Sequence, residues 1–151
     1  MLCRDVMKKN VVTCSEGDSL HWCAQLMRDW KIGFLPVVDG RKKLVGILTD
    51  RDLAVRGIAE NKPAFTEARA VMTNDPITCR ADDTLRLAEE KMVTARKSRI
   101  AIIDEAGHCT GVISLSDVAQ TENRRRTGEL LQAVTRREAE PPPSYQAWNV
   151  I

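Results

Sequence analysis

Two apolar runs of this chain end in the same short pattern, a hydroxyl followed three residues later by an aspartate. They are Thr49-x-x-Asp52, after Gly46-Ile47-Leu48, and Ser114-x-x-Asp117, after Gly111-Val112-Ile113. Where a strand hands over to a helix, the first backbone N–H groups lack intrahelical partners, so the pattern has two chemical uses. As a capping box, hydroxyl and carboxylate satisfy those groups, and no ligand is needed. As a binding site, the free N–H groups and the helix dipole attract an anion such as phosphate. The ionised carboxylate accepts hydrogen bonds only, and a ribose 2′,3′-diol offers two donors side by side. Cap and site can coexist, and the pattern alone leaves both open.

Other chemistry is sparse. The five cysteines (Cys3, Cys14, Cys23, Cys79, Cys109) are odd in number and form no C-x-x-C, and there are only two histidines, His21 and His108. That is a poor zinc site and a poor disulfide framework, and it suits small buried apolar side chains. No nucleophile-elbow, phosphate-loop or H-E-x-x-H motif occurs. Neither an enzyme nor a required cofactor or metal is expected.

The bulk composition is that of an ordinary soluble protein. The chain has 151 residues, 43% hydrophobic and 29% charged, with a net charge of +2. So small a charge gives no reason to expect nucleic acid or membrane as partner. Arg124–Arg126 is basic, but from Thr121 to Ile151 five arginines face four glutamates. No apolar run approaches the roughly 20 residues of a membrane span. The N-terminus lacks a signal-peptide pattern, and a cytoplasmic location is the expectation.

The elements that must position the two aspartates come in duplicate. A shift of 65 positions lays Arg4–Ala54 on Arg69–Ala119 without a gap. Twelve of these 51 pairs are identical: Arg4/Arg69, Val6/Val71, Met7/Met72, Thr13/Thr78, Cys14/Cys79, Asp18/Asp83, Leu20/Leu85, Met27/Met92, Asp39/Asp104, Gly46/Gly111, Asp52/Asp117 and Ala54/Ala119. Chance would give about three at ordinary residue frequencies. Within each copy a β-like run (Val11–Cys14; Ile77–Cys79) leads to an N-cap, Asp18-Ser19 or Asp83-Thr84. A helix follows with one apolar stripe, Leu20, Cys23, Met27 and Trp30, or Leu85, Ala88, Met92 and Ala95. Two strands joined by a turn come next, then a second helix starting near Asp50 or Leu115.

The order is β-α-β-β-α twice, an α/β (α+β) fold. Two copies of about 55 residues packed sheet to sheet about a pseudo-two-fold axis bury what neither buries alone. Residues 1–62 and 66–122 are the two repeats. Residues 123–151 form a helix, with Leu130, Leu131 and Val134 as its stripe, and then a flexible tail. That tail, "PPPSYQAWNVI", offers Tyr145 and Trp148 for docking if it is not simply mobile.

The heads "DVM" and "AVM", the strands "LPVVD" and "RIAIID", and the runs "LVGILTDRDL" and "CTGVISLSDV" resemble the cystathionine-β-synthase (CBS) domain. Two in tandem are similar to the CBS pair, or Bateman module, over residues 1–122. Ala101 departs from the family pattern, which has proline there, as Pro36 does in copy one. The resemblance implies a stand-alone regulatory module that binds an adenine nucleotide or adenosyl compound (AMP, ADP, ATP or a relative) in clefts between the repeats. It also implies pairing into a homodimer whose geometry a regulated protein would read.

Carried over residue by residue, one cleft would comprise Thr49 and Asp52, a base-stacking wall of Pro76, Ile77 and Thr78, and phosphate-binding cations Arg99 and Arg96. The other would comprise Ser114 and Asp117, a wall of Val11, Val12 and Thr13, and Lys31. With Gly33 taken as the counterpart of Arg99, the first cleft is expected to be the better site and the second weaker or empty. Arg51 and Arg56 are read as surface residues. The alternative is a ligand-free dimeric scaffold in which both aspartates are caps alone.

Overall fold

In the computed structural model, which describes residues 1–136, the two copies fold alike; Tyr145 and Trp148 lie outside the described residues. The first copy contains α1 (Cys3–Val6), β1 (Cys14–Ser15), α2 (Leu20–Trp30), β2 (Phe34–Val38), β3 (Leu44–Thr49) and α3 (Asp50–Asp52). A π-helical stretch, Leu53–Ile58, continues α3. The second contains β4 (Thr73–Asn74), β5 (Thr78–Arg80), α4 (Leu85–Ala95), β6 (Arg99–Ile103), β7 (Cys109–Ser114) and α5 (Leu115–Thr121). A last helix, α6 (Arg124–Thr135), follows.

Local chemistry sets these elements. Ser19 and Thr84 cap α2 and α4, their hydroxyls accepting the N–H of Trp22 and Leu87. Asp18 and Asp83 instead accept the N–H of Ser15 and Arg80, closing the turn before each cap. Both helices end on a left-handed residue, Lys31 (φ 53°) and Arg96 (φ 52°). In each copy the first strand pairs parallel with the second, and the second antiparallel with the third. Both hairpins carry an irregularity at the same place, Val37/Val38 and Ile102/Ile103.

The head segments trade places between the copies. Lys8 and Val112 of β7 exchange N–H···O bonds of 3.0 and 3.1 Å. The equivalent piece of copy two, β4, pairs with β3 at Gly46 and Ile47. Cys3 is accordingly buried in the second core, with Cys79, Leu85, Met92 and Ile100. Ala68, Val71 and Met72 are buried in the first, with Cys14, Leu20, Leu35 and Leu48. The crossing accounts for two of the identical pairs. A Cβ on Gly111 would come 2.5 Å from the sulfur of Met7, and one on Gly46 would come 2.6 Å from that of Met72. Each methionine lies over the other copy's glycine, a close approach that only glycine permits.

Two stripe residues differ from expectation. Trp30 is 63% exposed, because the last turn of α2 swings it off the core and towards a cleft. Leu131 is half exposed, while Leu130 and Val134 of α6 enter the second core. On that copy alone, α6 covers α4 through Arg126, which forms a two-pronged ion pair with buried Glu89.

Candidate functional site

The capping boxes form at both patterns. Thr49 N–H donates to Asp52 Oδ2 (2.9 Å), and Asp52 N–H to Thr49 Oγ1 (3.1 Å). Ser114 N–H donates to Asp117 Oδ2 (2.8 Å), Asp117 N–H to Ser114 Oγ (3.3 Å), and the Ser114 hydroxyl makes a short bond to the same carboxylate. The box consumes one oxygen of each carboxylate. What happens to the other, Oδ1, separates the two sites.

At Asp117, Oδ1 meets Lys8 Nζ at 3.1 Å; the Lys8 side chain is 74% exposed and that of Asp117 12%. Burial disfavours the Asp117 charge. The Ser114 hydroxyl and amide and the Lys8 ammonium outweigh it and hold the carboxyl below the usual carboxylate range.

This aspartate stands in a cleft of about 320 Å³ between the copies, within the range of small-molecule sites. One wall is apolar, with Val11 and Val12 from the head segment, Trp30 from α2, Ile32 from the turn after it, and Phe34 and Pro36 from β2. The other comes from copy two, with Val112, Ser114, Ser116 and Asp117. Among the described residues, three cations line it: Lys8, Lys31 and Arg99. The Ser114 and Ser116 hydroxyls lie 2.8 Å apart.

The structure therefore gathers Ser114, Asp117, Val11, Val12 and Lys31 as the sequence groups them; the wall stops short of Thr13, which precedes β1. Arg99 requires a correction. The sequence assigns it to Thr49, but the antiparallel register puts it opposite Ser114, in the wall of the other cleft. Its counterpart at the 65-residue offset is Phe34, not Gly33, and Phe34 likewise stands opposite Thr49. These two symmetry mates meet, with the Arg99 guanidinium 5.9 Å from the Phe34 ring centre. Gly33 has a different task, since a Cβ there would strike the Asp50 carboxylate at 2.5 Å.

At Asp52, Oδ1 is taken by Arg56. The guanidinium Nη2 donates to Asp52 Oδ1 (2.5 Å) and Thr73 Oγ1 (2.8 Å), and Nη1 to the carbonyl of Met72 (3.0 Å). Arg56 is thus no idle surface residue. The other residues expected here mirror those of the Ser114 cleft across the pseudo-axis. Pro76 and Ile77 are half-buried beyond β4, Thr78 opens β5 with its carbonyl on Lys91 Nζ (2.7 Å), and Arg96 ends α4 as Lys31 ends α2.

Lys8, Asn10, Phe34 and Ser116 line the Ser114 cleft without having been singled out in the sequence, and Trp30, read there only as part of a helical stripe, lines it too. Only Trp30 and Phe34 carried a usable signal, as large aromatics just before and at the start of a strand, in a chain with 4% aromatic residues. Among the described residues, no group of three His, Cys, Asp or Glu side chains could hold a metal ion. Among them, too, no helix is long and apolar enough to cross a membrane.

Comparison with known proteins matches the CBS domain twice, at residues 3–56 and 68–122. The uncharacterised protein YlbB of Bacillus subtilis is 31% identical over 134 residues, covering 87% of this chain and 90% of YlbB. Inosine-5′-monophosphate dehydrogenase of Methanocaldococcus jannaschii is 33% identical over 134 residues, covering 85% of this chain and 26% of the dehydrogenase. Among solved structures, the CBS domain pair of protein MJ0100 in complex with 5′-methylthioadenosine and S-adenosyl-L-methionine has a TM-score of 0.73 at 28% identity. It covers 80% of this chain and 98% of that one.

Proposed function

Because this chain belongs to the CBS domain family, as a tandem pair of the domain, we propose that it is a non-catalytic regulatory module that binds an adenine nucleotide or adenosyl compound between its repeats. We place the ligand in the Ser114–Asp117 cleft, the reverse of the ranking suggested by the sequence. The observation that carries this is one aspartate, Asp117, held charged in a cleft with aromatic walls and three cations.

Adenine would lie against Val11, Val12, Trp30 and Phe34, where burying apolar surface stabilises by about 25 cal/mol per Å². Asp117 would take the ribose diol once exposed Lys8 swings away from Oδ1. Lys8, Lys31 and Arg99 suit a ligand that carries phosphate. The MJ0100 pair, with its two adenosyl ligands, supports the adenosyl part of this reading. Trp22, Val55, Ile58 and Phe65 are exposed apolar side chains of copy one, and they support self-association into the homodimer through which the module would signal to a partner.

The test is thermal unfolding with AMP, ADP, ATP, NAD and S-adenosylmethionine. A ligand present at about 100 times its Kd should raise stability by about 2.7 kcal/mol. The competing reading, a ligand-free scaffold, is favoured by the capping boxes, in which each aspartate has a structural role that needs no ligand. An unmoved midpoint with all five compounds would decide for the scaffold.

A further inference from the structure

We propose that Arg56 is an internal occupant of the Thr49–Asp52 site, filling the place of a ligand's diol, so that each chain binds one adenine nucleotide and not two. The inference rests on the nucleotide-binding reading above for what would otherwise enter.

A ribose diol at Asp52 would need Oδ1, since Oδ2 belongs to the capping box. Oδ1 holds Arg56 at 2.5 Å, and the same guanidinium reaches Thr73 and Met72 of the other copy at 2.8 and 3.0 Å. A ligand must therefore displace a charged donor from Oδ1, and two further hydrogen bonds anchor that donor to the other copy. Hydrogen bonds to charged groups are the stronger class.

Among the described residues, the symmetric position has no such occupant. The counterpart of Arg56 is Thr121, whose hydroxyl donates back to the Val118 carbonyl at 3.0 Å. The counterpart of Thr73 is Lys8, which reaches Asp117 from the head segment by one 3.1 Å contact and is mostly in solvent. A single exposed ammonium can turn to a phosphate, whereas a triply bonded guanidinium holds its place. The backbone differs at the same point. Leu53–Ile58, which carries Arg56, is π-helical, while α5 is an ordinary α-helix, and π-turns inside helices gather at functional sites.

The experiment counts AMP and ATP bound per chain by titration calorimetry. It uses the wild type, Arg56→Thr (the residue copy two carries), Arg56→Gln, Asp117→Ala, and Arg56→Thr combined with Asp117→Ala. One nucleotide is expected for wild type and two for Arg56→Thr. At nucleotide concentrations that just saturate wild type, Asp117→Ala is expected to bind too weakly to be counted, and the double variant to bind one. A wild type that binds two, or an Arg56→Thr count equal to wild type, overturns the inference. If wild type binds none but Arg56→Thr binds one, the Ser114 cleft assignment fails and Arg56 stands as occupant. If neither binds, both fall. Loss of folding in both Arg56 variants would make Arg56 a structural brace and overturn its role as a replaceable occupant.

Discussion

The two clefts are built on one frame and end in opposite states. Both have a capping box, a left-handed helix end bearing a cation, and a head segment from the other copy crossing a glycine. They differ at a few side chains: Arg56 against Thr121, Thr73 against Lys8, and Ala95 against Trp30. On one side the cation comes from the helix and is held three ways; on the other it comes from the head segment and is held once. Duplication copies the backbone that can make a site. Which copy is open depends on where the neutralising charge is rooted.

The largest expected effect breaks the symmetry of the copies themselves. Only copy two is covered by α6, through Glu89 and Arg126, and the counterpart of Glu89 in copy one is Ala24. Removing Arg126 leaves a buried carboxylate whose Oε1 already lacks a hydrogen-bond partner. Arg126→Ala should cost about 3 kcal/mol in urea unfolding, the lower end for breaking a buried pair. Adding Glu89→Ala, which makes copy two like copy one, should recover most of that. If the double variant stays as unstable as the single, α6 contributes by packing and not by this pair.

Next in size is the contrast between the aspartates. Asp117→Ala should weaken AMP by about 10- to 150-fold, the equivalent of about 1.5–3 kcal/mol for hydrogen bonds to a charged group. Asp52→Ala should leave AMP binding within about threefold, because Arg56 already holds that carboxylate. Equal losses in calorimetric titrations would mean that both clefts are open, and the comparison would collapse.

How much of this was legible in the sequence follows from the range of each signal. The repeat, the caps and the hairpins depend on neighbours a few residues apart, so periodicity and turn chemistry reveal them. The pairs Met7/Met72 and Gly46/Gly111 stood out as identities, but their reason lies in a crossing between copies that no local pattern encodes. Trp30 completed a helical stripe in sequence and left the core in space. Arg56 looked like surface because its partners, Met72 and Thr73, are 16 and 17 residues away. Arg99 was legible as a cation, but its side of the pseudo-axis was not, since only strand register sets it opposite Ser114.

The smallest effect tests the looser hold on Asp117 directly. Burial raises its pKa, and the bonds from Ser114 and Lys8 more than reverse that, so the folded value lies below the unfolded one of about 3.9. A depressed carboxyl contributes stability that is present above the unfolded value and is lost as the pH falls through the folded value. The acid limb of stability should therefore begin below about pH 4, and AMP affinity should fall along it as the carboxylate becomes a poorer acceptor. Lys8→Met removes one of the groups that depress the pKa, so its limb should start at the same pH, end at a higher pH and lose less stability than that of wild type. The shift should be small, because Lys8 is mostly exposed and its contact is screened. A limb that all but disappears in Lys8→Met would mean that Lys8 grips Asp117 as firmly as Arg56 grips Asp52. The difference between the clefts would then have to lie in their walls, Trp30 against Ala95, and not in how their cations are held.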